Sequence, residues 1–383
     1  MAMSKEKREF LTKKINEINK NLKANVGFAS EQMDHLRIKY IKTPSLIVNA
    51  MLGGGFPRGR IVELFGEAGS GKTMLAIETI AYNMRQDPDF VAAWCETEGS
   101  IDDMTLYLYG IDPERLIFWK QEDNAEQAME VLRALIQHKE IDMIVINSVA
   151  GLCPTAEIEK DLTESNVALT ARLMSRLMRI ITGPTNKNET LVLFINQLRS
   201  TIAANKYAEQ STTTGGAALK YYSTQRIAMR RGSIDEKTSP IKREEGVRIC
   251  LRVHKNRVAK GNPYVVGEYH AIYGKGIQSI FELPDLLVEE GILRKAGSWH
   301  YWDDENGEPK TVAGTLCKFK SRAALIEALE ENEELRSMLE TILLNRIERG
   351  FIQTESVSDE ELKQLEKEDK ESDELALVFE DLK

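Results

Sequence analysis

Gly66-Glu67-Ala68-Gly69-Ser70-Gly71-Lys72-Thr73 has the residue types and spacing to grip a triphosphate. G-x-x-x-x-G-K-T is the phosphate-binding P-loop pattern: glycines let successive backbone N–H groups turn inward around the phosphates. In that role Lys72 reaches the β- and γ-phosphates, and the Thr73 hydroxyl ligates Mg²⁺. The flanks agree with the pattern. Ile61-Val62-Glu63-Leu64-Phe65 reads as a buried strand, and Thr73 to Tyr82 as an amphipathic helix whose N-terminus favours anions.

Other polar residues stand where strands end. Glu96 and Glu98 close the strand Val91–Cys95. Two residues apart on a strand they share a face, so one carboxylate can orient an attacking water while the other holds metal-bound waters. The apolar run Met143–Ile146 is followed by Asn147, an amide where a P-loop enzyme usually carries an aspartate. Leu191–Ile195 ends in Asn196-Gln197, and Gln197 is suited to sense a γ-phosphate.

Positioning these residues requires alternating strands and helices. Candidate strands are Ile61–Phe65, Val91–Cys95, Leu116–Trp119, Met143–Ile146, Leu191–Ile195, Gln225–Met229, Val247–Val253 and Tyr264–Ala271. Helices over Ala125–His138 and Ser165–Thr182 lie between them, giving an α/β fold with a mostly parallel twisted sheet covered on both faces. The pattern divides the chain into a lead-in with an amphipathic helix (1–42), a core (43–283), a small α/β C-terminal domain (284–352) and an acidic disordered tail (353–383). Glu157–Ser165 and Leu198–Thr214 lack a packing pattern, which marks functional loops.

The net charge of −9 over 383 residues is concentrated: Gln353–Lys383 holds twelve acidic residues against four lysines. The nearly neutral remainder can still carry basic surfaces for a polyanion, and the tail can compete for them. Four cysteines without C-x-x-C pairing, few histidines, no apolar run of about 18 residues and a charged Met1–Glu9 argue against a zinc site, a membrane span and a secretory signal, and for reduced thiols in a cytoplasm.

From about Ala24 to Arg349 the chain resembles a recombinase of the RecA family. The resemblance rests on ordered stretches: Gly59-Arg60-Ile61-Val62-Glu63 before the P-loop, Val149-Ala150-Gly151-Leu152-Cys153-Pro154 with Ala156-Glu157-Ile158-Glu159, Phe194-Ile195-Asn196-Gln197, Thr212-Thr213-Thr214-Gly215-Gly216 with Ala218-Leu219-Lys220, Lys255-Asn256-Arg257, and Tyr273-Gly274-Lys275-Gly276-Ile277. It implies a RecA-like P-loop ATPase core that uses ATP and Mg²⁺, forms a helical filament on single-stranded DNA and exchanges strands with duplex DNA, helped by single-strand-binding and mediator proteins. By the same resemblance Glu98 activates water and Gln197 links ATP to DNA. Lys255 and Arg257 reach the ATP of a neighbouring subunit, and Asp102 and Tyr273 join the P-loop at ATP. Glu157–Val167 and Leu198–Thr214 are the DNA loops, with Arg172, Arg179, Arg199, Thr213, Gly215 and Gly216 in or beside them. Lys220, Tyr221 and Arg226 are interface residues.

The chain departs from the family at Asn147, where aspartate is usual, at Thr105, where a tyrosine stacks on adenine, and at Arg257, usually lysine. These departures mark a divergent member, a phage source fits them, and the resemblance implies the cytoplasm of a bacterial or phage-infected cell. Two other readings of the same residues are an ATP-regulated DNA-coating scaffold or mediator with weak hydrolysis, which Asn147 favours, and a helicase or loader built on the same core.

Overall fold

The structure, a computed structural model, describes residues 3–31, 37–159, 169–200, 211–235, 239–259, 265–312 and 314–353. The acidic tail beyond Gln353, most of the loop Glu157–Val167 and the middle of Leu198–Thr214 lie outside the described residues, as do the first residues of the helix expected from Ser165.

The chain divides into two compact units between Lys39 and Tyr40. In the first, the expected amphipathic helix is α1 (Lys5–Leu22). None of its residues is buried, and Phe10, Ile18 and Leu22 stand exposed.

The second unit opens with β1 (Tyr40–Ile41), α2 (Leu46–Leu52) and β2 (Phe56–Pro57). The alternating core follows: β3 (Ile61–Gly66), α3 (Lys72–Gln86), β4 (Ala92–Glu96), α4 (Asp103–Tyr109), β5 (Leu116–Lys120), α5 (Ala125–Leu135), β6 (Met143–Asn147), α6 (Thr155–Ile158), α7 (Leu169–Asn188) and β7 (Leu191–Ser200). Next come β8 (Ser211–Thr213), α8 (Gly216–Tyr222), β9 (Gln225–Gly232), β10 (Gly246–Asn256), β11 (Val266–Ile272) and β12 (Gly276–Ile277). The C-terminal part adds α9 (Leu283–Glu289), β13 (Arg294–Ala296), β14 (Trp299–Tyr301), β15 (Thr311–Val312), β16 (Thr315–Leu316), β17 (Lys318–Phe319), α10 (Arg322–Glu331) and α11 (Glu333–Gln353).

The main sheet has the order β12-β11-β10-β9-β3-β7-β6-β4-β5. From β9 to β5 neighbouring strands run parallel, while β10, β11 and β12 add antiparallel. Side chains alternate between faces, so one strand feeds two cores. Leu193 and Ile195 of β7 join Leu75, Ile80 and Trp94 on the α3 side. Val192 and Phe194 join Leu132, Met174 and Met178 on the α5 and α7 side. Burial on both faces explains why these strands read as continuous apolar runs. Edge strand β5 is different: Ile117 and Phe118 are 40% and 38% exposed at the rim of the sheet.

Several elements end elsewhere than the sequence implies. Helix α5 stops at Leu135 rather than His138; the side-chain amide of Asn188 donates to Ile136 O at 2.8 Å and caps that end. Helix α7 passes through Gly183-Pro184, residues that normally halt a helix, and reaches Asn188. The hydroxyls of Thr182 and Thr185 brace the turn by donating to Met178 O and Ile181 O. Strand β7 continues past Ile195 to Ser200 and pairs antiparallel with β8, so both ends of the supposed Leu198–Thr214 loop form a hairpin stem. Strand β10 extends to Asn256 across a bulge between Val253 and Lys255, and such bulges re-aim the side chains that follow.

The C-terminal helices share a core with α2: Leu46 and Ala50 pack with Leu283, Leu287, Leu335 and Leu339. Glu282 pins this joint. Its Oε2 accepts from Ser45 Oγ (3.0 Å) and Ile47 N (2.7 Å), while Ser45 Oγ also accepts from Val48 N and caps α2, a bond typically worth about 1 kcal/mol. Burial pushes the Glu282 carboxyl up to about 8 from 4.5, against the opposing pull of the Ile47 and Ser45 bonds. A carboxyl raised in the folded state contributes stability that is complete below its unfolded value. That contribution is lost as pH climbs from 4.5 through about 8. Glu282→Gln, which keeps the acceptor, is therefore expected to raise the melting temperature relative to the parent above pH 8 and to leave it equal or slightly lower near pH 5. Thermal denaturation at the two pH values checks this.

Candidate functional site

The P-loop leaves β3 and turns into α3 at Gly71, which sits at φ +84° with Ile249 Cδ1 3.0 Å from where a Cβ would stand. Only glycine meets both conditions without strain. Lys72 is buried, and its ammonium donates to Gly66 O (3.0 Å), Glu67 O (2.6 Å) and Ser70 Oγ (3.1 Å). Burial lowers its pKa, opposed by the nearby carboxylates of Glu98 and Glu67. The cation is thus held in the cradle by oxygen atoms that a phosphate can replace.

Glu98 stands at the mouth of this cradle. Its Oε1 accepts from Gln197 Nε2 at 2.7 Å and from Ser148 Oγ. Gln197 lies opposite Gly66 in the β3–β7 ladder, so the first P-loop glycine, Glu98 and Gln197 meet at one carboxyl-terminal sheet edge, where open α/β sheets bind ligands.

The expectation that Glu96 and Glu98 share a face fails. Strand β4 ends at Glu96, whose carboxylate is 2% exposed and turned inward. Its Oε1 accepts from Glu98 N; its Oε2 accepts from Trp94 Nε1 (3.0 Å), Ser100 Oγ (3.2 Å) and Asn147 Nδ2 (3.3 Å). Glu96 therefore shapes the turn that presents Glu98. Asn147 is fully buried and also donates to Ser100 Oγ at 2.8 Å, while its Oδ1 lies 3.5 Å from Thr73 Oγ1. Among the described residues no group of three His, Cys, Asp or Glu can hold a metal. A hydroxyl and an amide oxygen beside the cradle fit a Mg²⁺ held largely by water and by the nucleotide's own phosphates.

Asp102 caps α4. Its Oδ1 accepts from Thr105 N (2.8 Å) and Thr105 Oγ1 (2.5 Å), and the Thr105 hydroxyl bond is the main reason its carboxyl sits below the usual range. Tyr273 is 58% exposed, takes a hydrogen bond from Arg231, and lines a 330 Å³ cavity with Gly274, Lys275 and Glu78.

The residues read as DNA contacts divide. Arg172 and Arg179 are exposed on α7, and Arg179 Nε donates to Ser175 O. Arg176, which the sequence reading missed, is exposed on the same face at helical spacing, a signal present in the sequence. Arg199 lies on β7 opposite Thr212. Thr213 lies inward, 4% exposed. Gly216, at φ +74°, leaves only 2.8 Å between a would-be Cβ and Ala171 Cβ, so the roots of the two loops touch.

The interface candidates divide as well. Tyr221 is 70% exposed, and Lys220 Nζ donates to Thr212 Oγ1. Arg226 is engaged within its own chain: its Nε forms a 2.5 Å ion pair with the wholly buried Glu63, and its guanidinium lies over the Phe65 ring. Lys255 and Arg257 gather around α8, where Lys255 Nζ donates to Lys220 O and Tyr221 O and Arg257 N donates to Thr224 O.

Asn147→Asp tests why an amide stands near Thr73. The change places a carboxylate beside the Glu96 carboxylate, now 3.3 Å from the amide nitrogen. The expected outcome is a severalfold lower Mg²⁺ requirement for hydrolysis together with a lower melting temperature in chelator, since like charges that close repel. Mg²⁺ titration and thermal denaturation check both; no change in either rejects this account.

The comparisons with known proteins agree with this geometry. The family model for the RecA N-terminal domain matches residues 9–278. Protein RecA of Thermotoga petrophila is 36% identical over 381 residues, covering 98% of this chain and 100% of its own length. Protein RecA of Thermotoga maritima is 36% identical over 345 residues, 89% of this chain and 92% of its own. Protein RecA of Trichormus variabilis is 34% identical over 346 residues, 90% of this chain and 91% of its own. The chain belongs to the RecA family of DNA recombinases, DNA-dependent ATPases with a P-loop α/β core.

Proposed function

We propose that this recombinase couples ATP at the Gly66–Thr73 loop to DNA held by Arg172, Arg176, Arg179 and the segment ending at Gly215 and Gly216, with Gln197 as the link. The observation that carries this reading is the Gln197–Glu98 hydrogen bond of 2.7 Å. The side chain that orients the attacking water is thereby tied to the residue from which the β7–β8 stem and its loop depart. Lys72 binds the phosphates, Glu98 orients and deprotonates water, and Ser148 and Gln197 fix the Glu98 carboxylate. Mg²⁺, held at Thr73 and through water at Asn147, would offset phosphate charge. Lys255 and Arg257 act on the nucleotide of the neighbouring subunit, where cations stabilise charge developing on the γ-phosphate.

Assembly rests on the first unit. The apolar side of α1, with no buried residue of its own, docks on a neighbouring chain, for which the exposed Ile117 and Phe118 of β5 offer an apolar edge. The filament lies on single-stranded DNA and contacts phosphates, so binding is sequence-tolerant and falls steeply with salt. The 284–352 segment acts as a small appended domain and the acidic tail restrains DNA entry. Among the described residues no helix is long and apolar enough to cross a membrane; with DNA as substrate, we place the protein in the cytoplasm, where single-strand-binding and mediator proteins would load it.

Joint-molecule formation between a single strand and a homologous duplex, dependent on ATP, is the expected result. DNA coating without pairing would favour the scaffold reading. The trans assignment predicts complementation. A Lys72→Ala chain and a Lys255→Ala/Arg257→Ala chain, each inactive alone, recover DNA-dependent hydrolysis when mixed, because the first lends its basic pair to the intact P-loop of the second. Absence of recovery in mixed filaments would place the pair's action within one chain or deny it.

A further inference from the structure

Behind the nucleotide site, three polar side chains lie within the strand layer and bond to one another. Glu63 has no exposed surface. Its Oε1 accepts from Asn196 Nδ2 at 2.9 Å, and its Oε2 accepts from Arg226 Nε at 2.5 Å. Asn196 is equally buried; its Nδ2 also donates to Thr214 O at 2.8 Å, and its Oδ1 accepts from Gln197 N at 2.9 Å. Arg226 stacks on Phe65 at 4.6 Å, Phe65 meets His254 edge-on at 5.2 Å, and Arg226 faces Lys255 across the β9–β10 ladder. Burial is the main reason the Lys255 pKa is lowered, with Arg257 and Arg226 adding to it and Glu63 opposing.

A packed core has no need of such a set. Apolar residues of similar volume usually serve stability as well or better, and buried ion pairs are best explained where they fix one arrangement. The arrangement fixed here has three ends, each in a different site: the Gln197 backbone at the catalytic glutamate, the Thr214 carbonyl at the root of the second DNA segment, and the strand that carries Lys255 toward Arg257. No member of the set touches the P-loop through a hydrogen bond among the described residues.

We propose that Glu63, Asn196 and Arg226 are positioning residues: a buried relay that holds Gln197, the root of the DNA segment and the Lys255–Arg257 strand in one register, so that DNA occupancy sets the rate of ATP hydrolysis. The proposal rests on the recombinase reading above. Hydrogen bonds in a dry interior are directional and mutually reinforcing, so a shift of Gln197 is handed to Thr214 through one side chain. Glu63 sets the position of that side chain, and Arg226 sets Glu63.

The test compares the full-length protein with Glu63→Gln and with Glu63→Gln/Arg226→Gln. Steady-state ATP hydrolysis is measured with and without a thymidine homopolymer, alongside affinity for a fluorescent ATP analogue and thermal melting. Glu63→Gln is expected to keep analogue affinity and DNA-independent hydrolysis within about twofold, while stimulation by DNA falls roughly tenfold or more, the usual scale of coupling between two sites. A residue that only supports the fold would weaken nucleotide binding, basal rate and melting together, and that pattern overturns the proposal. Should Glu63→Gln fail to fold because Arg226 is left unpaired, the double variant, which leaves no buried unpaired charge, decides. Full stimulation in a folded variant overturns the relay. Absence of stimulation in the unchanged protein overturns the recombinase reading and the relay with it, so the two failures are distinguishable.

Discussion

The parallel ladder between β3 and β7 is the constraint on which the rest depends. It sets Gly66 opposite Gln197 and Phe65 opposite Asn196. The start of the phosphate loop and the glutamine that reaches Glu98 therefore leave the sheet side by side. The ladder is held by continuous burial: every residue from Ile61 to Phe65 and from Leu191 to Asn196 is buried. Polar groups appear in these strands only where another polar group meets them, which agrees with the high penalty for leaving buried polar atoms unpaired.

Much of this was legible in the sequence because it is local. The P-loop spacing, the apolar runs and the amides at strand ends are patterns of neighbouring residues, and the alternation of strand and helix dictates a covered parallel sheet. What was not legible depends on residues far apart in the chain. Glu63 reads as an oddity in an apolar strand until Asn196 and Arg226 are brought to it across 133 and 163 positions. Glu96 sits at the right spacing to share a face with Glu98, yet Trp94, Ser100 and Asn147 draw it inward. Thr213 belongs to a polar run but is covered by the wall formed as β8 pairs with β7.

The Asn147 departure takes on a different meaning beside Glu96. An aspartate at this position would set two carboxylates against each other unless a cation lay between them. The amide instead donates to Glu96 and to Ser100 and keeps an oxygen toward Thr73. The local hydrogen-bond arrangement is thus complete within the protein itself.

If α1, none of whose residues is buried, docks on the next molecule as proposed, the two extremities of a linear assembly are chemically unlike. A contact in which an arm of one molecule meets a different surface of the next is head-to-tail and propagates without closing. In the docking proposed above, the terminal molecule at one extremity would hold out a bare arm with the exposed Phe10, Ile18 and Leu22, and at the other a bare sheet rim with the exposed Ile117 and Phe118. Addition at one extremity orders a newcomer's arm, and at the other it orders the resident's own. With that docking, addition and loss would share one equilibrium at both extremities but differ in rate between them, before any polynucleotide contributes a direction of its own.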